Sequence, residues 1–271
     1  MNPVRYFRLL FYDGCQELLT QHEADVFIIS YPKSGRTWLR LMLGKYLTDL
    51  YGVKFPELLE TYDLTHAMPA MPRVAVIHDG SGNDGINRAA GRLNKSKRRY
   101  RGNRVVFLVR DPRDTVASYY FHCCRRSKVY HGKISGFLRE ERYGLPKIIR
   151  FLNIWAMNRD IPRGFLLIRY EDMHANPARE LTRLLTFIGA ECNPALVDKA
   201  VEFARFEKMR EMELQGKLMS RRLKPADHDD PESYKTRKGK VGTYVDYFSS
   251  SDLAYARDLI QNKLSPVFGY T

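Results

Sequence analysis

The residues best suited to chemistry form a basic segment at positions 31–38, which reads Tyr-Pro-Lys-Ser-Gly-Arg-Thr-Trp. It follows a short apolar run at 26–30 and leads directly into an amphipathic segment at 37–50. A strand, a turn and a helix in this order aim several backbone N–H groups and the positive end of the helix dipole at one point. Lys33 and Arg36 add positive charge there. The pattern therefore predicts an anion-binding site at the start of the helix.

A nucleoside-triphosphate site is one alternative for this segment. The phosphate-binding loop of kinases and ATPases reads G-x-x-x-x-G-K-[ST]. Here Ser30 occupies the position of the first glycine, and Arg36 occupies the position of the lysine. The sequence therefore disfavours a nucleotide-dependent P-loop kinase, which would also need a magnesium-binding acid, and leaves it as an alternative.

Two further basic groups could bind a second anion. Arg110 follows the apolar run 105–109, and Ser118 lies on the next helical segment, which we expect Asp114 to cap. Arg110 and Ser118 would then converge on one anion. The stretch 237–242 reads Arg-Lys-Gly-Lys-Val-Gly, and its glycines allow the backbone to wrap closely around a ligand. Taken alone, a basic glycine-containing stretch is more often a solvated surface.

A histidine stands where a general base would be useful. His78 comes directly after the apolar run 74–77, and the reference pKa of a histidine, ~6.5, suits proton transfer near neutral pH. A lone histidine at a strand end more often only donates or accepts a hydrogen bond. His66 and His122 are the alternative bases.

The chain alternates apolar, β-branched runs with segments of helical periodicity, which is typical of an open α/β sheet. Ligands of such sheets bind outside the carboxyl ends of the strands, where Lys33, His78 and Arg110 lie. The length of 271 residues favours a single domain over 1–271. The predicted strands are Val26–Ser30, Val74–Ile77, Val105–Val109 and Phe165–Ile168, and the predicted helices are Thr37–Leu50, Thr115–Phe121, Leu145–Asn158 and Pro177–Ile188.

Composition limits the partners. Lys and Arg number 45 against 31 Asp and Glu, a net charge of +14 that favours polyanionic partners. A non-catalytic nucleic-acid-binding module is therefore a second alternative, supported by the basic run 95–101, although a solvated loop explains that run equally well. The four cysteines lack C-x-x-C spacing, and no His/Cys or carboxylate cluster indicates a metal. Without an apolar membrane-spanning run or signal-peptide core, we expect a cytoplasmic protein with no membrane anchor.

The segment 31–38 resembles the Tyr-Pro-Lys-Ser-Gly-Thr-Thr-Trp signature of the cytosolic-type sulfotransferases, with Arg36 in place of the first threonine. The resemblance implies a P-loop-like three-layer fold in which helices flank a central, mostly parallel sheet. It also implies that the donor is 3′-phosphoadenosine-5′-phosphosulfate (PAPS) and the nucleotide product is 3′-phosphoadenosine 5′-phosphate (PAP), with no metal requirement. Lys33 would contact the phosphosulfate and its bridging oxygen. By the same resemblance, Ser34, Gly35 and Thr37 would hold the 5′-phosphate and Trp38 would stack on adenine. Arg36 is a further candidate cofactor-binding residue of this segment.

Other stretches resemble further motifs of this family. By that resemblance, Arg110 and Ser118 bind the 3′-phosphate of PAPS. The stretch 237–242 resembles the Arg-Lys-Gly-x-x-Gly segment that closes over the same phosphate, although Thr243 and Tyr244 stand where the family usually has Asp-Trp. The ligands implied by this stretch are Arg237, Lys238 and Gly239.

The adenine site and the base are also implied by the resemblance. Tyr170 begins a Tyr-Glu-Asp-Met stretch and would face adenine, and Phe206 is the candidate second ring or an ordinary core residue. His78 matches the histidine of the family's Lys-Thr-His, with Val76 in place of the lysine. The acceptor is expected to be a small hydroxylated or amine metabolite, bound by the segments 50–70, 125–145 and 210–235; a glycan or a lipid is the alternative.

Overall fold

The computed structural model describes residues 23–82, 93–216, 223–224 and 226–271. The predictions for the first 22 residues, including Cys15, lie outside this part of the chain. A four-stranded parallel sheet with the spatial order β2-β1-β3-β4 forms the centre. All four strands occur where the apolar runs predicted them, which confirms the α/β fold. They are β1 (Val26–Ser30), β2 (Val74–Ile77), β3 (Arg104–Val109) and β4 (Gly164–Arg169).

Ten α-helices lie in the described ranges, and a π-helical turn at His122–Arg126 continues the third of them. No helix of these ranges is long and apolar enough to cross a membrane. The helices are α1 (Arg36–Leu50), α2 (Thr61–His66), α3 (Pro112–Phe121), α4 (Ile134–Arg139), α5 (Leu145–Met157), α6 (Tyr170–Ala175), α7 (Pro177–Ile188), α8 (Pro194–Phe203), α9 (Phe206–Gln215) and α10 (Ser250–Lys263).

Both faces of the sheet are covered, and successive strand residues point to opposite faces, so one strand contributes to two cores. Phe27 and Ile29 of β1 belong to a core shared with α3, α5 and α10. Val26 and Ile28 of the same strand belong to a second core shared with α1, α7 and α8. The result is the three-layer arrangement that the sequence predicted.

The start of α3 differs from the prediction. Asp111, and not Asp114, caps this helix, since its Oδ1 accepts a hydrogen bond from the Arg113 backbone N–H at 2.8 Å. Pro112 occupies the first helical position, where its missing N–H costs nothing, so the residue before it becomes the cap. Asp114 lies in the first turn of the helix with its side chain buried.

The strand order creates a crevice at one edge of the sheet. The chain runs from β1 to β2 on one side and then places β3 on the other side of β1. Connections that leave in opposite directions open a gap outside the carboxyl ends of β1 and β3. Lys33 follows β1 and Arg110 follows β3, and the Nη1 of Arg110 lies 3.5 Å from the carbonyl oxygen of Lys33. The predicted anion sites therefore meet at this crevice.

Close packing of α1 is tested by Gly44→Ala. A methyl group at this position would lie 2.2 Å from the carbonyl oxygen of Leu58, a backbone atom that cannot rotate away. Because the clash outweighs the better helix propensity of alanine, we expect a loss of about 1–3 kcal/mol in the free energy of unfolding. Chemical denaturation measures it. Gly102→Ala, where no atom lies within 4 Å, is the control, and equal stability of the two variants would contradict the packing account.

Candidate active site

The turn between β1 and α1 has a backbone that needs glycine at one position. Lys33 and Gly35 both have positive φ, 73° and 94°. A Cβ atom on Gly35 would lie 2.5 Å from the ring of Tyr170, so this ring packs directly on the glycine. Ser34 is buried between them. The ring of Tyr170, the first residue of α6, thus supports the turn from one side.

The positive charge at this turn is concentrated. The pKa of the Lys33 ammonium is lowered to about 8, mainly by burial and also by the charges of Arg126, Arg237 and Arg110, while Glu213 opposes the shift. Four cations at one edge repel one another, and an anion would relieve that repulsion. The electrostatics of the turn therefore favour a highly charged anion. Arg36 and Thr37, the first two residues of α1, are half-buried beside it.

Aromatic rings lie beside this cationic group. The rings of Trp38 and Tyr170 meet edge to face, with centroids 5.9 Å apart. The guanidinium group of Arg110 lies 4.3 Å from the centroid of Tyr170. Burial raises the pKa of the Tyr170 hydroxyl, so this ring stays neutral. Two of the three aromatic residues predicted for adenine are thus neighbours next to Arg110.

Asp114 holds the C-terminal glycine stretch against α3. Its carboxylate accepts hydrogen bonds from the backbone N–H groups of Gly242 at 2.7 Å and Tyr244 at 3.1 Å, and from the Thr243 hydroxyl at 3.3 Å. It also lies 3.4 Å from the Nη2 of Arg110. Sequence reasoning missed this role by assigning Asp114 to the helix cap. The spacing of four residues from Arg110 indicated only the ion pair between these two side chains, because nothing local points to Gly242.

Ser118 lies about one helical turn beyond Asp114 on α3. It is four residues beyond Asp114, so both belong to the same helix face, and it is half-buried. Arg110 also donates from Nη2 to the carbonyl oxygen of Lys240 at 3.0 Å. The structure therefore brings Arg110, the helix face of Ser118 and the stretch 237–242 together.

Arg237 is held by aromatic residues from two segments. Its guanidinium lies 4.3 Å from the centroid of Phe121, and its Nη1 donates to the Tyr247 hydroxyl at 2.5 Å and to Glu232 at 3.1 Å. The Nε–H of Arg237 is buried and makes no hydrogen bond, and the same is true of Arg110. Within the described ranges, four arginines have such an Nε, and these two are the ones at the crevice. Buried donors without acceptors are costly, so the site fits an anion that would accept from them.

Lys238 and Gly239 continue this segment. The Nζ of Lys238 lies 2.8 Å from Asp246, whose hydrogen bond raises the pKa of the ammonium. Gly239 has φ of 63°, and a Cβ atom there would lie 2.2 Å from the ring of Phe206. Its carbonyl oxygen accepts from the Nε2 of His174 at 3.1 Å. Phe206 therefore packs on the glycine stretch, and Lys238 already has an acidic partner.

His78 lies at the same edge of the sheet. Its Nδ1 is 2.8 Å from the carbonyl oxygen of Ser30, the last residue of β1. A carbonyl can only accept, so Nδ1 carries the proton and Nε2 is left with a lone pair. His66, by contrast, is exposed at the end of α2 and stacks on Tyr62. The sheet thus brings His78, and not His66, to the segment that carries Lys33.

His122 begins the π-helical turn after α3, and its Nε2 lies 3.0 Å from the Ser127 hydroxyl. Burial lowers its pKa to about 2, and the charges of Lys33, Lys235 and Arg126 contribute to the shift. A ring with so low a pKa binds a proton poorly and is a weak general base.

Two glutamates that the sequence did not reveal support the site, the buried Glu213 and the half-buried Glu171. Glu213 accepts from the backbone N–H groups of Lys235 and Thr236 at 2.8 and 2.9 Å and lies 3.7 Å from Arg126. Glu171 joins the backbone N–H of Asp111 to the hydroxyl of Tyr270, at 2.9 and 2.7 Å. For Glu171 the Tyr-Glu-Asp-Met motif was a usable signal. For Glu213, in a helix of mixed charge, no local signal exists.

The comparisons with known proteins decide the family. The family model described as "Sulfotransferase domain" matches residues 23–268. The chain belongs to this family. The match confirms the prediction of a sulfotransferase with a P-loop-like α/β fold, and it overturns the alternative of a P-loop kinase. In the part of the chain that the structure describes, no group of three or more His, Cys, Asp or Glu residues could hold a metal ion.

Individual relatives are distant but cover most of the chain. Flavonol 3-sulfotransferase of Flaveria bidentis is 25% identical, over 92% of this chain and 84% of its own length. Cytosolic sulfotransferase 17 of Arabidopsis thaliana is also 25% identical, over 92% of this chain and 76% of its own. Among solved structures, mouse sulfotransferase SULT7A1 complexed with PAP aligns with a TM-score of 0.61 and 19% identity, covering 89% of this chain and 84% of that one. A retinol dehydratase complex with retinol and PAP aligns with a TM-score of 0.63 and 18% identity, covering 89% and 81%.

The lowered pKa of Lys33 predicts that the affinity for PAP depends on pH. A bound anion favours the protonated form of the Lys33 ammonium. At a pH where Lys33 of the free sulfotransferase is deprotonated, PAP binding should therefore be accompanied by proton uptake at Lys33. We therefore expect PAP affinity to fall as the pH rises above about 8, by up to about tenfold per pH unit. Isothermal titration calorimetry between pH 7 and 10 measures it. Lys33→Arg should flatten the dependence because arginine stays charged; an unchanged slope in this variant would show that another group titrates.

Asp114→Asn tests the attachment of the glycine stretch. The variant keeps the side-chain shape but removes the charge that holds Gly242 and Tyr244. We expect PAP affinity to fall about tenfold, equivalent to ~1.4 kcal/mol. The affinity for AMP, which lacks the 3′-phosphate, should change less than about twofold. Asp160→Asn, at a position whose side chain is 91% exposed, is the matched control. Equal losses for PAP and AMP would mean that Asp114 does not serve the 3′-phosphate.

Proposed function

We propose that this sulfotransferase moves the sulfuryl group of PAPS to a hydroxyl or amine of a small-molecule acceptor by in-line displacement, with His78 as the general base. The observation that carries the proposal is the hydrogen bond between His78 Nδ1 and the Ser30 carbonyl. It fixes the proton on Nδ1 and leaves Nε2 as a proton acceptor. It also ties the base to the strand that continues into the Lys33 turn.

Two sets of anion-binding residues, which meet at the crevice, support PAPS as the donor. The turn of Lys33, Ser34, Gly35 and Thr37 suits the 5′-phosphosulfate, because helix N-termini and glycine turns bind phosphate groups. Arg110, with its unpaired buried Nε–H, lies by the other wall of the crevice. A nucleotide with phosphates at both the 5′ and 3′ positions needs two sets of ligands, which is the reason to prefer PAPS to ATP. The solved relatives named above were crystallised with PAP.

The second set of ligands has four further members in this proposal. Arg237 supplies the other unpaired Nε–H, and Gly239 provides a close backbone approach. Lys238 must exchange its contact with Asp246 for the phosphate. Ser118 contributes a hydroxyl from the face of α3. Of the rings, Trp38 and Tyr170 face the adenine and Phe206 supports Gly239.

The chemistry follows from these positions. His78 Nε2 removes the proton of the acceptor group as its oxygen or nitrogen forms a bond to sulfur. The bond from sulfur to the bridging oxygen breaks, and its electron pair stays on the 5′-phosphate. Lys33 and the N-terminus of α1 stabilise the charge that develops on this leaving group. One well-placed donor of this kind is typically worth ~2.7–4 kcal/mol of activation free energy.

The acceptor class and the compartment rest on the relatives. One relative is named for a flavonol, a small hydroxylated molecule, and others are named cytosolic. We accordingly propose a small hydroxylated or amine metabolite as the acceptor, the cytoplasm as the compartment and residues 1–271 as one sulfotransferase domain. The donor and the base do not depend on which metabolite is sulfated.

His78→Ala tests the base. We expect it to lower the rate of sulfuryl transfer by about 10²-fold or more, with PAP affinity within about twofold of the parent. Incubation with labelled PAPS and a metabolite extract identifies an acceptor, after which the rate is measured on that compound. His66→Ala is the matched control and should keep full activity. Turnover retained by His78→Ala but lost in His122→Ala would transfer the role to His122, and stabilisation by ATP alone in a thermal-shift assay would contradict the PAPS proposal.

A further inference from the structure

The basic run 95–101 is only partly a surface feature. Lys97 is only 2% exposed. Because a lysine is almost never fully buried without a partner, its contacts identify what stabilises the charge. Its Nζ lies 2.5 Å from Oδ2 of Asp79, and Arg99 pairs with the other oxygen of the same carboxylate. Lys95, Arg98, Arg99 and Arg101 are exposed. The run therefore directs one buried cation, Lys97, and the guanidinium of the exposed Arg99 to one acidic residue.

Asp79 is the next residue after His78, and its carboxylate is at the centre of a buried cluster. The carboxylate accepts from the Tyr100 hydroxyl at 2.7 Å and from the indole N–H of Trp155 at 3.0 Å, besides its two cationic partners. We call Asp79, Lys97, Arg99, Tyr100 and Trp155 the Asp79 cluster. Its members come from the segment before β3 and from α5, so it anchors the end of β2 to two other parts of the fold.

The backbone at Asp79 is in a conformation that few residues adopt. Asp79 has φ of 48° and Gly80 has φ of 75°. The turn closes with hydrogen bonds from the Ser81 backbone N–H and hydroxyl to the carbonyl oxygen of His78, at 3.0 and 2.6 Å. Left-handed backbone at a residue other than glycine costs free energy and persists only where the surroundings hold it. The four contacts of the Asp79 carboxylate stabilise this backbone conformation.

This turn sets the surroundings of the His78 ring. Gly82, which follows the turn, lies so close that a Cβ atom on it would be 2.8 Å from both Cβ and Cδ2 of His78. Ser30 contacts the ring at Nδ1. The imidazole is therefore enclosed by the Gly82 backbone beside Cδ2 and by the Ser30 carbonyl at Nδ1.

We propose that Asp79 is a positioning residue for His78: its buried carboxylate fixes the turn at 78–81, which holds the imidazole with Nδ1 on the Ser30 carbonyl. The catalytic consequence rests on the proposed function, in which His78 is the base. Asp79 acts through the backbone and does not touch the reacting groups. Lys97 and Arg99 serve by pairing with the buried carboxylate.

Asp79→Asn is the first test, with Asp160→Asn as the matched control. We expect kcat to fall by about tenfold or more, with the KM for PAPS and the Kd for PAP within about twofold of the parent. The second readout is the ¹⁵N NMR spectrum of His78 in the PAP complex, assigned by comparison with His78→Ala. The parent should show the tautomer protonated on Nδ1, and Asp79→Asn should lose it. A structural defect elsewhere would leave this signal unchanged.

A double substitution distinguishes a loss of positioning from misfolding of the single variant. Asp79→Asn leaves Lys97 and Arg99 near an uncharged partner, whereas Asp79→Asn with Lys97→Met keeps the net charge of the cluster. We expect the double variant to fold, as judged by its thermal transition, and to show the same loss of kcat and of the Nδ1–H tautomer. Lys95→Met, at an exposed position of the same run, is the control and should match the parent.

The outcomes separate this proposal from the proposed function. A parent-like kcat and His78 spectrum in either Asp79 variant would overturn the positioning role, and so would a fall in kcat with an unchanged His78 spectrum. Full activity in His78→Ala would instead refute the proposed base. In that case a changed His78 spectrum in Asp79→Asn would still establish that Asp79 orients the ring.

Discussion

The parallel pairing of β1 with β2 on one side and β3 on the other is the constraint on which the rest of the site depends. Parallel strands end at the same edge, so the residues that follow them must share one surface. Because of this register, three residues that are up to 77 positions apart in sequence meet there, namely Lys33, His78 and Arg110. Outward connections from β1 and β3 leave the gap in which a nucleotide fits, so the topology alone selects where the chemistry takes place.

Positive charge is in excess at that edge. Lys33, Arg110, Arg126 and Arg237 lie close enough to influence one another, and buried carboxylates such as Asp114 only partly offset them. Such a site is less stable empty than filled, because a polyanion replaces repulsion by attraction. Ligand binding and stability are thereby linked, and any anion that reaches both walls of the crevice will raise the unfolding temperature. The net charge of +14 thus serves a local site at least in part.

The sequence was informative wherever one local pattern had one physical meaning. The strands were predictable because short β-branched runs between polar turns suit a sheet covered on both faces, and the Lys33 turn was predictable from its strand-turn-helix context. The cap of α3 was predicted wrongly, since Asp111 and Asp114 both precede helical residues and only the position of Pro112 separates them. The inward direction of Lys97 could not be predicted, because its partners at Asp79 and Trp155 are distant in sequence and a run of cations normally suits water.

The hydrogen bond between Asp114 and Gly242 has a consequence for folding during synthesis. These residues are 128 positions apart, so the second wall of the crevice closes only after the segment that carries Gly242 has also left the ribosome. A chain still being synthesised can form β1 to β4 and the Lys33 turn, but it lacks the glycine stretch that completes the nucleotide site. Chains emerge N-terminus first at ~5–20 residues per second. Nascent chains therefore pass through a stage with an exposed cationic edge and no means of closing it around a nucleotide.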